Sequence, residues 1–323
     1  MAPRIVQLFP GQGSQWPGMG GDLVHTSPAF GAAVAQCDEL LLPRTGWSVR
    51  QAIAGGDAAR LEGILDLQLM LFTVEVALAA VWNEQRVGCD AVAGTSLGEI
   101  AAANVCGALT LADALEVVLA RGELLQMQRP EGGTVVLNVD GDQVADVLAG
   151  LENDAWVAGY NGPGTTTFSG REAALAELLQ RGERLGVFAA RVRVEYPAHS
   201  CLLEPLAEPL RQRLAGIRPA DGRVPFYSAV TGGPVAGSAL DADYWVRNLI
   251  QPVRGGQLLD RLLTDGFGII LEVTPHPIFA KPTEAAIDAR GANAQHCPTL
   301  RRNRDASTCL AEARRRIAGD VHG

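Results

Sequence analysis

Apolar residues run in two rhythms along this chain. In Arg4 to Phe9, Val224 to Val230 and Gly268 to Val273 they form short runs closed by Gly, Pro or Thr, which predicts buried strands. Between them, apolar positions recur every three or four residues, which predicts helices over 67–84, 111–127, 202–214, 242–250 and 256–265. Ser27-Pro28 reads as a cap followed by Pro at the first turn, opening a further helix to about Leu42. Asp90 to Ala93 predicts a short strand that runs into Gly94-Thr95-Ser96-Leu97-Gly98, with helix resuming over Glu99 to Val105.

The middle of the chain changes rhythm. Thr134 to Val139 reads as strand, Asp142 to Leu151 as helix, Trp156 to Tyr160 and Thr165 to Ser169 as strands, Arg171 to Arg181 as helix and Val187 to Val194 as strand. That βαββαβ order is the ferredoxin-like pattern. The expected organisation is therefore an α/β large domain over 1–130 and 196–323, interrupted by a small ferredoxin-like subdomain over 131–195.

With 323 residues, 47% hydrophobic and 20% charged, the chain can bury a sizeable core. A net charge of -9 argues against a globally basic nucleic-acid binder. The six cysteines are scattered without a CxxC pair, which suits reduced thiols rather than a disulfide framework or zinc site. No secretory segment is visible, and the apolar stretch Leu69 to Trp82 is short and carries Glu75, so a soluble, cytoplasmic protein is expected.

Gly94-x-Ser96-x-Gly98 between a strand and a helix has the context of a nucleophile elbow. The glycines allow the tight turn, and the helix start offers backbone N–H groups to a developing oxyanion. A serine needs a base. Of His25, His199, His276, His296 and His322, the candidates are His199, where the chain leaves the small subdomain, and His276, which follows a strand. Arg121 shares the apolar stripe of its helix with Val117 and Val118. A buried arginine wants a carboxylate, either a structural acid of the protein or one on a substrate.

These residues carry a family resemblance. Phe9-Pro10-Gly11-Gln12-Gly13-Ser14-Gln15, Gly94-x-Ser96-x-Gly98-Glu99, Arg121, Asn161-Gly162-Pro163, His199, Asn248-Leu249-x-Gln251-Pro252-Val253 and Pro275-His276-Pro277 occur in order over about residues 5–305. The chain resembles the malonyl-CoA:acyl-carrier-protein transacylases, and within them the acyltransferase domains of modular polyketide synthases. The resemblance implies an α/β-hydrolase-like large domain with an inserted ferredoxin-like one. It implies Ser96 as the acylated nucleophile, His199 as base and then acid, and the N–H groups of Gln12 and Leu97 as oxyanion hole. Arg121 would hold the free carboxylate of a malonyl-type unit, and the main-chain carbonyl of Asn248 would orient the His199 ring. His276 becomes a structural loop residue. No bound cofactor or metal is implied; the phosphopantetheine arm of CoA or of a carrier protein is substrate.

Two departures bear on acyl selectivity. The family usually has histidine before the nucleophile, where this chain has Thr95. The segment ending at the base is Tyr196-Pro197-Ala198-His199, nearer the Tyr-Ala-Ser-His of methylmalonyl users than the His-Ala-Phe-His of malonyl users. Thr95, Tyr196 and Ala198 are therefore expected to shape the acyl pocket, with a lean towards α-substituted units. The expected reaction moves a malonyl-type group from CoA or a carrier protein to an acyl carrier protein, in polyketide and antibiotic biosynthesis, without nucleic acid or membrane. From the chain's own extent a discrete, trans-acting enzyme is expected. The arginines at 301, 302, 304 and 314–316 are a candidate docking surface for an acidic carrier. The alternatives are a hydrolase that clears misloaded carriers and a non-catalytic docking subunit.

Overall fold

The computed structural model describes residues 3–319; His322 and Asp320 lie outside them. Among the described residues, ten strands form two sheets. The strands are β1 (Arg4–Phe9), β2 (Ala91–Gly94), β3 (Gly133–Leu137), β4 (Ala155–Gly162), β5 (Thr165–Gly170), β6 (Ala189–Arg191), β7 (Phe226–Ser228), β8 (Gly233–Val235), β9 (Phe267–Glu272) and β10 (Gln295–Pro298).

The larger sheet has the order β10-β9-β1-β2-β7-β8. Its first five strands run parallel, and β8 returns antiparallel on β7. A parallel sheet needs cover on both faces, which is why β1 reads as a near-continuous apolar run. Val6 and Leu8 pack towards Leu258, Leu262 and Ile270 on one side. Phe9 packs on the other, among the core that holds helices Pro28–Thr45, Ile64–Glu84 and Leu111–Gln128. Ile64–Glu84 is long and apolar enough to cross a membrane by length and composition. Its residues Leu67 to Glu75 are all buried, as in the central helix of a packed core.

The smaller sheet is antiparallel, in the order β4-β5-β3-β6. Numbering those strands from one, the order is 2-3-1-4, the ferredoxin-like topology. Helix Glu172–Leu185 lays Ala174, Leu175 and Leu178 on Val135, Leu137 and Phe168. The molecule is an α/β-hydrolase-like sheet layer carrying a ferredoxin-like subdomain built from residues 133–191.

Local chemistry sets the helix limits. Ser27 Oγ accepts the Phe30 N–H with Pro28 at the first turn, and Gly46 closes that helix in the left-handed conformation. Asp241 caps Ala242–Ile250 by accepting the Tyr244 N–H at 2.9 Å. Two expectations are corrected. The strand read over 187–194 shortens to Ala189–Arg191, because the Val194 N–H turns back onto the Val192 carbonyl at 2.8 Å. The helix read over 202–214 begins as a 3-10 turn, Cys201–Leu206, with Pro205 inside it, and becomes α-helical only over Ala207–Arg213.

Candidate active site

Ligand sites in open parallel sheets lie beyond the carboxyl ends of the strands. Here the loop after β1 meets the turn after β2. The Thr95 N–H donates to the Phe9 carbonyl, and the Gly98 N–H closes onto the Thr95 carbonyl, both at 3.0 Å. Ser96 sits at the tip with φ +51°, a left-handed conformation that costs a non-glycine residue energy. The flanking glycines are required by close approach. A Cβ on Gly94 would lie 2.5 Å from Glu99 Cα, and one on Gly98 only 2.1 Å from the Phe9 carbonyl oxygen.

His199 comes to this turn from the chain leaving the small subdomain. Its φ is +55°, the same unusual region. The Ala198 N–H bonds to the Tyr196 carbonyl at 2.8 Å, and Ser200 Oγ donates to the Pro197 carbonyl at 2.7 Å, shaping the turn. His199 Nε2 lies 2.9 Å from Ser96 Oγ, and Nδ1 lies 3.0 Å from the Gln251 carbonyl oxygen. A carbonyl can only accept, so Nδ1 carries the proton and Nε2 offers its lone pair to the serine hydroxyl. The 3.0 Å orienting bond is made to the Gln251 carbonyl, a partner beside the Asn248 carbonyl that the resemblance implies. Helix Ala242–Ile250 ends there, and Gln251 is extended with ψ 151°, which takes its carbonyl out of the helical ladder. The Asn248 carbonyl gives a weaker favourable contribution to the same ring. Burial and, after it, the Arg121 charge lower the His199 pKa to about 3, so the ring is neutral at physiological pH.

Arg121 is 2% exposed, as the apolar stripe of helix Leu111–Gln128 predicts. One guanidinium nitrogen donates to Asn248 Oδ1 at 2.8 Å and another to Ser96 Oγ at 3.1 Å. Nε has no partner, and no acid among the described residues forms an ion pair with it. The structural-acid reading of Arg121 is thereby excluded for those residues. Asn248 serves through its side chain, with Nδ2 donating to the Ser96 carbonyl at 3.1 Å.

The backbone N–H groups of Gln12 and Leu97 donate to nothing among the described residues, as an oxyanion hole requires. The N–H groups on either side of Gln12 are taken: Gly11 donates to Thr95 Oγ1 at 3.2 Å and Gly13 to Gln15 Oε1 at 2.7 Å. Tyr196 donates its hydroxyl to Gln12 Oε1 at 2.8 Å. Ala198 is buried beside His199. His276 lies apart from this cluster, its Nδ1 accepting the Arg302 N–H at 3.1 Å. A cleft of about 980 Å³ between the sheets is walled by Gln12, Trp16, Leu67, Arg191, Arg193 and Tyr196 among others. It borders the Ser96 cluster through Gln12 and Tyr196.

Glu99, within the elbow motif, is a site residue that sequence reasoning left unassigned. Its Oε1 accepts the Ala229 and Val230 N–H groups at 2.8 and 3.2 Å, and its Oε2 accepts the Tyr244 hydroxyl. Full burial pushes its pKa up to about 7 against those hydrogen bonds. It ties the elbow helix to the helix that carries Asn248.

The family model of the acyl transferase domain matches residues 6–322. The chain belongs to this acyl transferase family. It is 40% identical over 326 residues to the spectinabilin polyketide synthase system protein NorA of Streptomyces orinoci, covering 99% of this chain and 17% of that protein. It is 39% identical over 303 residues to erythronolide synthase EryA2 of Saccharopolyspora erythraea, covering 93% of this chain and 8% of that one. The acyl transferase chain thus spans less than a fifth of the length of these curated relatives. Among solved structures it superposes on the acyltransferase domain from module 8 of the salinomycin polyketide synthase with a TM-score of 0.94. There the identity is 37%, over 99% of this chain and 76% of that one. The loading acyltransferase from the avermectin modular polyketide synthase gives 0.92 at 35% identity, over 98% and 100% of the two chains.

Proposed function

We propose that this acyl transferase loads a malonyl-type group onto an acyl carrier protein through an ester on Ser96. The donor is coenzyme A or another carrier protein, in polyketide biosynthesis, by a soluble cytoplasmic enzyme. The observation that carries this reading is Arg121: a buried guanidinium without a carboxylate partner among the described residues, 3.1 Å from a serine hydroxyl that is itself 2.9 Å from a neutral imidazole. A free carboxylate on the acyl group supplies the missing partner bidentately.

In the first half-reaction His199 Nε2 takes the Ser96 proton as Oγ attacks the thioester carbonyl. The tetrahedral oxyanion is met by the Gln12 and Leu97 N–H groups. The C–S bond then breaks, and the imidazolium returns its proton to the leaving thiolate. The second half-reaction runs this in reverse with a carrier thiol as nucleophile. The Gln251 carbonyl holds the proton-bearing Nδ1 and stabilises the imidazolium as it forms.

Arg121 also acts on the base. Its positive charge is the second cause of the low His199 pKa. A bound carboxylate offsets that charge, so His199 becomes the stronger base when a malonyl-type donor is in place. Groups lacking a carboxylate forgo this help, which disfavours the reading as a hydrolase of such groups. The docking-subunit reading leaves the Ser96–His199–Arg121 cluster without a use. Tyr196 and Ala198 are proposed to set the size of the α-substituent, and Ala198 leaves room for a branch. Exposed Arg314, Arg315 and Arg316 offer a docking face for an acidic carrier. The test is to offer a panel of acyl-CoA donors, locate the added mass by peptide mapping, then add a carrier with its phosphopantetheine thiol. Malonyl-type mass on Ser96 that passes to the thiol supports the reading. Acyl-Ser96 released mainly to water would support the hydrolase.

A further inference from the structure

The residue before the candidate nucleophile turns its hydroxyl onto the loop after β1. Thr95 is buried, and its Oγ1 accepts the Gly11 N–H at 3.2 Å across a gap of 84 residues in sequence. The same residue's N–H holds the Phe9 carbonyl. Thr95 therefore grips the β1 strand end from both sides of its own Cα: backbone to Phe9, side chain to Gly11. Between Gly11 and Gly13, whose N–H is held by Gln15 Oε1 at 2.7 Å, only the Gln12 N–H is left unclaimed. The fit is close. A Cβ on Gly11 would lie 3.1 Å from Ser96 Cβ, so the loop and the elbow are in contact at this point.

We propose that Thr95 is a positioning residue for the oxyanion donor: its hydroxyl fixes the Gly11 peptide so that the adjacent Gln12 N–H is aimed at the reacting carbonyl. A preorganised donor acts in the transition state, and loss of such a donor outright costs on the order of 10²- to 10³-fold in rate. Loosening it costs less. The Gln12 side chain is held separately, by the Tyr196 hydroxyl at 2.8 Å and Gln68 Nε2 at 3.0 Å, so the loop stays in place when the Thr95 bond is lost. The defect then lies in the aim of one N–H rather than in the fold. This role is independent of what the acyl chain carries, because every thioester develops the same oxyanion. It thus differs from a selectivity role for Thr95 and from the role of Arg121. The inference rests on the proposed acylation of Ser96.

The test is single-turnover acylation of Ser96 by malonyl-CoA and by acetyl-CoA, followed by peptide mass, for wild type, Thr95→Val, Thr95→Ser and Ser96→Ala. Donor affinity is measured separately on Ser96→Ala and Thr95→Val/Ser96→Ala. Thr95→Val keeps the shape and removes the acceptor; its acylation rate should fall about 10- to 100-fold, equally for both donors, with affinity changed less than twofold. Thr95→Ser should recover at least half of the wild-type rate. Should Thr95→Val be too unstable to assay, Gln15→Ala, which frees the other flank of Gln12, should give the same donor-independent loss of rate. Wild-type rates in Thr95→Val, a loss confined to affinity, or unequal losses for the two donors would overturn the inference alone. Acyl mass on a residue other than Ser96, or persisting in Ser96→Ala, would overturn the proposed function with it.

Discussion

Ser96 and His199 adopt nearly the same strained backbone conformation, φ +51° and +55°, but by different means. The Ser96 turn follows β2 and is pinned to the end of its parallel neighbour β1, and its glycines leave no space for a Cβ. The His199 turn lies in a stretch without regular structure and is held by two local bonds, with the Gln251 carbonyl as its distant anchor. The geometry of Ser96, the proposed nucleophile, is thus a property of the sheet end, and that of His199, the proposed base, is a property of one turn and one helix end. Tyr196 and Ala198, the residues proposed to set acyl selectivity, ride on that second turn.

The largest effect should come from the sheet side. Gly98→Ala forces a Cβ to within 2.1 Å of the Phe9 carbonyl, and backbone cannot yield as a side chain can. Acyl-Ser96 formation should be lost, read by intact-protein mass, in a chain whose circular dichroism is otherwise close to wild type. On the other side, His199→Ala should slow single-turnover acylation by about 10²- to 10⁴-fold, the range for a positioned base. A comparable loss from His276→Ala would contradict the assignment of the base.

Ala198→Phe tests whether selectivity can move while the chemistry stays. It should turn preference from methylmalonyl-CoA towards malonyl-CoA. A filled or vacated space of this kind is worth about 1–3 kcal/mol, or roughly 10- to 200-fold in relative acylation. Competition between the two donors, read by mass on Ser96, checks it. The smallest expected effect is on pH dependence. With the His199 pKa held at about 3, acylation by acetyl-CoA should stay flat as pH falls through the ordinary imidazole range near 6.5. Arg121→Ala removes the second cause of that depression and leaves burial, so the acidic limb should move upward while staying below 6.5. Coinciding limbs would mean that Arg121 does not act on the ring.

The contrast also explains what was legible in the sequence. The elbow and the βαββαβ order are written in local signals: glycines at fixed offsets, and strands and helices of clear period. Helix Ala242–Ile250 matches its expected limits for the same reason, with Asp241 as its cap. Main-chain roles leave no such mark. The Gln251 carbonyl could be any residue's, and its position directly after the end of that helix was the one available signal. Strand β10 was missed because Gln295 and His296 break the apolar run, although His296 is buried against Glu272 at 2.6 Å. Arg121 was found by periodicity, but its lack of an acidic partner is a tertiary fact. The grip of Thr95 on Gly11 depends on two loops meeting across the sheet end, which no spacing encodes.

The central claim is that Ser96 is acylated by donors whose free carboxylate pairs with Arg121. The direct measurement is the ratio of Ser96 acylation rates for malonyl-CoA and acetyl-CoA in wild type and in Arg121→Ala. Truncating one side of a buried charge pair costs about 2–5 kcal/mol, so the malonyl rate should drop by that equivalent and the acetyl rate far less. The wild-type preference should collapse. An equal loss for both donors would reduce Arg121 to a structural residue and contradict the account.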